Sequence, residues 1–211
     1  MAYSTRMAAA LSGATVGQLR SWRQDRGNGA ILCPELAARP ALYSFRDVLA
    51  LRAFAHLRQD VSLQMIRKAL VNLKRIGEVD HVAGYSLVAD GDSIALVGED
   101  DHATDLVKSP GQRVIATMAD ILREFAPRPG VVVPDLLRPK HHVSVDPATQ
   151  GGRPVIVGTR VPFDAVAELV EDGVPPEEIS TYYPGVTADA ARDAASFALY
   201  VDSYGTGSRA A

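Results

Sequence analysis

The first twenty-six residues hold two runs of helix-forming sequence, each too short to be stable alone, separated by Gly13. Such a pair folds only against other elements, and a turn this short makes the second helix cross the first. Ser4 and Thr5 are good N-caps for a helix over residues 6–11, and Gly13 can stop it in left-handed backbone. Thr15 can cap a second helix in VGQLRSWRQDR, where Val16, Leu19 and Trp22 or Arg23 recur at helical spacing. That periodicity leaves Gln18, Arg20, Arg23 and Arg26 for solvent or a ligand. Two short helices around a glycine turn make a helix-turn-helix.

Residues 27–43 carry glycines, prolines and short apolar patches, compatible with a small β-wing. Ser44 then caps a third helix, FRDVLALRAFAHLRQ, and Ser62 a fourth, LQMIRKALVNLKRIG, each with an apolar stripe and a basic outer edge. Charge is concentrated in this region. Residues 1–76 hold twelve Lys and Arg against four Asp and Glu, a net +8, whereas residues 77–130 carry −6 and residues 131–211 carry −5. The chain total of −3 hides this asymmetry. A polyanionic partner therefore suits the first third and opposes the rest.

Beyond Gly84 the period changes. YSLVADGDSIALVG reads as a β-hairpin about Gly91, and an acidic stretch follows at residues 99–105. Residues 111–125 read as one amphipathic helix, with Val114, Ile115, Met118, Ile121, Leu122 and Phe125 on one face. Pro127, Pro129 and Pro134 mark the best linker in the chain. The last region opens with a hairpin, HVSVD to GGRPVIVGTRVP, in which residues 155–157 form a strand. Three short helices follow: residues 163–172 ended by Gly173, a second from Pro175 to the Tyr183–Pro184 step, and a third capped by Thr187.

The expected fold class is mainly α with small β elements, α+β. Its parts are a winged helix-turn-helix over 1–76, a hairpin-plus-helix connector over 77–130, a hairpin with a three-helix homeodomain-like unit over 140–204, and a flexible tail over 205–211. No run approaches the roughly 18 apolar residues of a membrane helix, which places the chain in the cytoplasm.

Catalytic chemistry finds little support. Cys33 is the sole cysteine and reads as a small semi-buried apolar residue. His141 and His142 are adjacent without a third ligand at metal spacing, which favours an exposed linker over a metal site. No Ser-His-Asp or Cys-His arrangement is evident, and no carboxylate cluster suits a two-metal nuclease. GGRPVIVGTRVP is no phosphate loop, because Pro154 and a β-branched strand interrupt it; its glycines suit tight turns, with Arg160 bracing the fold. No enzyme activity, cofactor or metal is expected.

YSTRMAAALSGATVGQLRSWRQ, a wing, and YSFRDVLALRAFAHLRQDVSLQMIRKAL together resemble the DNA-binding head of MerR-type regulators over about the first 75 residues. The resemblance implies that the second helix enters the major groove while the wing grips the backbone, implicating Thr15, Gln18, Arg20, Arg23, Arg26 and Arg46. The long coiled-coil helix and effector-binding cysteines of metal-sensing members are absent after Arg75. Residues 146–199, with GGxPxIxGTRxP, P-E-E-I and Y-P-x-x-T in order, resemble a small bacterial domain of unknown function found in VapB-type antitoxins.

Taken together, the resemblances imply an antitoxin that neutralises a PIN-type ribonuclease toxin encoded alongside and represses its own promoter as a homodimer. Arg153, Arg160, Tyr182 and Tyr183 are candidate partner-binding or scaffold residues. The acidic third helix, with Asp189, Asp193 and Asp202, suits protein contact rather than DNA. The alternative is a MerR-like ligand-responsive regulator with no toxin partner.

Overall fold

The computed structural model describes residues 2–25, 30, 32–57, 86–90, 93–97, 103–105 and 113–206. The expected fourth helix, Arg26 and the end of the tail lie outside these residues. The fold is α+β: helices with small antiparallel sheets.

Strand β1 (Tyr3–Ser4) leads into α1 (Thr5–Ser12). The Ser4 hydroxyl accepts the Met7 N–H at 3.2 Å, and Gly13 ends the helix with φ 78°, its N–H donating to the Ala9 carbonyl. Both caps follow from the sequence. Gly13 also lacks a side chain where one would collide, since a Cβ there would lie 2.7 Å from Val133 Cγ2. Ala8, Ala9, Ala10 and Leu11 are all fully buried. With these residues facing the interior and Arg6 left exposed in its first turn, α1 packs against α3 (Phe45–Leu57) and the long C-terminal helix α7 (Ala188–Thr206).

After α2 (Val16–Trp22), strands β2 (Ala37–Ala38) and β3 (Ala41–Tyr43) form a hairpin. Its inner strand β3 also pairs with β1, placing Tyr3 opposite Tyr43, so the sheet order is β1-β3-β2.

Strands β4 (Ser86–Asp90) and β5 (Ser93–Val97) make the expected hairpin. It is completed by β6 (Ala103–Asp105) and β7 (Arg113–Thr117) in the order β6-β5-β4-β7. The amphipathic helix expected at 111–125 is thus replaced by β7, the five-residue helix α4 (Met118–Leu122), and the start of β8 (Phe125–Arg128). The reason is edge satisfaction: β7 pairs with β4 in the register Val88 to Val114, and a run of β-branched residues suits that position.

The expected linker is also corrected. Residues 125–133 form a further hairpin, β8 with β9 (Val131–Val133), turning at Pro129–Gly130. Pro127 and Val133 pack over Gly13, and Val133 is fully buried, so this segment joins parts of the core.

β10 (Val143–Ser144) pairs with β11 (Val155–Ile156). Helices α5 (Phe163–Glu171) and α6 (Ile179–Tyr182) follow, the latter entered through a 3-10 turn at Pro176–Glu178. Helix α7 runs to Thr206, into the span expected as tail. Its Ala190, Ala191, Ala194 and Phe197 are buried against the rest of this chain, and one apolar core includes residues of α1, α3, α5 and α7.

Candidate nucleic-acid interface

Helix α2 is built by its own cap. The Thr15 hydroxyl accepts the Gln18 N–H at 3.0 Å, and Gln18 Oε1 accepts the Thr15 N–H at 2.8 Å. A bidentate amide contact to adenine needs both the oxygen and the nitrogen of the side chain, and here the oxygen already has its donor. Thr15 and Gln18 therefore shape α2. Leu19 and Trp22 are buried, Trp22 lying 4.3 Å from Phe54 of α3 between ring centroids. Arg20 is exposed and, among the described residues, has no hydrogen bond or ion pair. Arg23 sits half-buried at the C-cap, and Arg46 is exposed in the first turn of α3.

Asp47 ties the hairpin region to α3. Its Oδ2 accepts N–H groups from Ser44 at 2.8 Å and Glu35 at 2.9 Å, while Ser44 Oγ accepts the Asp47 N–H and donates to Glu35 Oε2. Burial raises the Asp47 carboxyl above its ordinary range, and the donated N–H groups partly oppose that rise. The sequence signal was present: Ser44 and Asp47 have capping-box spacing.

One of the head's twelve cations is absent from its surface. Arg52 is fully buried. Its guanidinium donates to the carbonyls of Leu11 (2.7 Å), Leu122 (3.2 Å) and Pro134 (2.7 Å), and also to those of Ile121 and Arg123. It lies 4.9 Å from the Phe125 ring centroid. Burial pulls its pKa down to about 10. Leu11 and Leu122 lie at the C-terminal ends of α1 and α4, whose carbonyls carry partial negative charge. The charge count overstated the head's available cations. The signal against it was position, since Arg52 lies four residues beyond the fully buried Val48 on the same face of α3.

The α1–α2 pair does not stand apart from the acidic half of the chain. A cleft of about 610 Å³ is lined by α1 and α2 together with α5 and α7. Arg6 and Arg20 line it from the basic head, and Asp164, Glu168, Glu171 and Asp202 from the acidic helices. Arg6 and Asp202 pair at 2.6 Å; both are more than half exposed, so solvent screens the pair strongly.

The GGRPVIVGTRVP element docks directly on the head. The Tyr3 hydroxyl, whose pKa burial raises, donates to the Gly152 carbonyl. Gly152 has φ +88°, and a Cβ there would sit 2.7 Å from the Tyr3 oxygen and 3.2 Å from Phe45 Cδ2. Arg153 pairs with Asp164 of α5 at 2.7 Å, a scaffold contact. Arg160 is exposed and, among the described residues, its side chain makes no polar contact, which corrects the bracing role expected for it. Tyr182 is 56% exposed, whereas Tyr183 is half-buried and packs against the core. The two therefore present different surfaces despite adjacency.

His142 is no linker residue: its N–H and Nδ1 both meet Asp193 Oδ2 of α7, at 2.9 and 2.8 Å. Arg192 bonds Asp189 at 2.7 Å and also Glu177, closing α7 onto the 3-10 turn. Among the described residues no group of three or more His, Cys, Asp or Glu side chains is placed to hold a metal ion. Nor is any described helix long and apolar enough to cross a membrane.

Residues 143–198, from β10 through most of α7, match the model of a family described as a protein of unknown function, DUF433. The chain is similar in structure to the crystal structure of Rv2018 from Mycobacterium tuberculosis, with a TM-score of 0.50 and 19% sequence identity. That similarity covers 92% of this chain and 96% of the other, so the shared fold includes the head as well as the matched segment. No curated protein matches the sequence.

Proposed function

We propose that this chain is a DNA-binding antitoxin that represses its own promoter as a dimer and restrains a PIN-type ribonuclease encoded beside it. The observation that carries the DNA half is the capped α1–Gly13–α2 pair beside the β2–β3 hairpin, on a segment of net +8. Arg20 on α2 and Arg46 on α3 offer exposed cations for phosphate contact. Base reading, if α2 enters the groove, falls to Arg20 or Arg23, because the Gln18 oxygen is held in its cap. The antitoxin half rests on the resemblance of residues 146–199 to the VapB-associated domain, with exposed Tyr182 as a contact. A ligand-responsive regulator without a toxin is the second reading, favoured by the cleft beside α2.

The test is co-expression with the adjacent reading frame, followed by promoter-DNA binding over a salt series. Joint purification with the neighbouring protein, and a promoter affinity that falls with salt, are the expected results. A chain that purifies alone rejects the antitoxin half. Salt-independent binding, or none, rejects the DNA half.

A further inference from the structure

We infer that the cleft between α1–α2 and α5–α7 is a binding site for a small amphiphilic molecule that carries two cationic groups and one carboxylate on an apolar body. Its volume, about 610 Å³, is that of a small-molecule pocket. Met7, Val16, Phe163, Ala167, Ala198 and Val201 supply apolar lining, enough to bury an aromatic or branched aliphatic group.

The charges around this lining fall into two sets. Arg6 is paired with Asp202, and Asp164 with Arg153 outside the cleft. Arg20, Glu168 and Glu171 remain, and among the described residues none of the three has an ion-pair partner. Glu168 and Glu171 are three apart on α5, on one face, so two like charges stand together uncompensated. The three charges sum to −1, and a ligand that satisfies each brings two cations and one anion, a net +1.

Other ligand classes fit worse. A phosphate or nucleic-acid ligand meets four carboxylates in the lining against two arginines. A wholly apolar ligand desolvates three charges without pairing any of them. Arg20 lies both in this cleft and on the proposed DNA-contacting face of α2, so a ligand seated here competes with DNA for that one side chain.

Isothermal titration of the full chain with the dipeptide arginylphenylalanine tests the assignment. This probe carries a guanidinium, an ammonium, a carboxylate and a phenyl ring. Saturable one-to-one binding is expected, weakened about tenfold or more in Glu168→Gln/Glu171→Gln, as for loss of charged hydrogen bonds. Amidating the peptide's carboxylate weakens binding to the wild-type chain but not to Arg20→Gln, whose partner for that group is gone. Absence of saturable binding overturns the proposal, as does binding indifferent to both variants. Promoter binding is a separate measurement, so failure here leaves the DNA reading untouched, and the reverse also holds.

Discussion

The Tyr3 hydroxyl donates to the carbonyl of Gly152, 149 residues further along the chain. Through this one bond the first strand of the basic head holds the glycine pair of GGRPVIVGTRVP. Tyr3 is 2% exposed, so Tyr3→Phe leaves a buried carbonyl unpaired, and a loss of about 1–3 kcal/mol is expected. Gly152→Ala adds a Cβ in left-handed backbone against Tyr3 and Phe45 and should destabilise further. Urea-unfolding midpoints would rank the two, and a Gly152→Ala chain as stable as wild type would contradict the contact.

The same hydroxyl makes stability depend on alkaline pH. Burial raises both Tyr3 and Tyr200 above the ordinary tyrosine value, so the folded chain retains two protons that the unfolded chain releases near pH 10. Because the native state then binds more protons, stability is fully present below that pH and falls above it. Between about pH 9 and about pH 11 the wild-type urea midpoint should drop more steeply than that of Tyr3→Phe/Tyr200→Phe. Parallel slopes would show that neither group titrates as described.

Arg52 makes the opposite kind of tie, a buried cation held by carbonyls. Arg52→Met removes the guanidinium hydrogen bonds to five carbonyls at once, of which that of Leu122 keeps the Leu136 N–H as a donor, and the expected loss is about 3 kcal/mol or more, since each buried carbonyl left unpaired costs about 1–3 kcal/mol. Arg52→Lys offers three donors in place of five and no planar fork, so it should recover only part of that loss. Thermal unfolding by circular dichroism distinguishes the two. Equal melting temperatures for Lys and Met would mean that hydrogen bonding to these carbonyls contributes little.

Local signals in the sequence were readable where the physics is local. Ser4, Gly13, Thr15 with Gln18, and Ser44 each sit at the helix end their chemistry suits, because a cap is decided within about four residues. The β10–β11 pairing was legible for the same reason, being bounded by glycines and β-branched residues. Residues 113–125 were not, since Val114, Ile115 and Phe125 satisfy a helical period as well as a strand-turn-strand path. Only the open edge of β4 decides between them. Likewise nothing within a few residues of His142 or Pro127 tells that partners 51 and 114 residues away will enclose them, and for Arg52 the helix face points to burial but not to the carbonyl 41 residues away that receives it. The acidic wall beside α2 is a product of such long-range packing, and net charge by segment could not reveal it.

That wall yields a prediction with two opposite signs. If α2 contacts phosphate, Arg20→Gln should weaken promoter binding and lower the salt slope by about 0.9 for the one contact removed. Glu168→Gln/Glu171→Gln removes two anions that line the same cleft as Arg20, and should strengthen promoter binding several-fold at low salt. The gain should shrink as ionic strength rises and the roughly 10 Å screening length at 0.1 M shortens. Fluorescence anisotropy on one promoter duplex across a salt series reads both effects. Because the variants differ in sign, general unfolding, which weakens binding in either case, cannot produce the pattern. A glutamine pair that binds DNA no better than wild type at low salt would place the acidic face of α5 beyond electrostatic reach of the DNA.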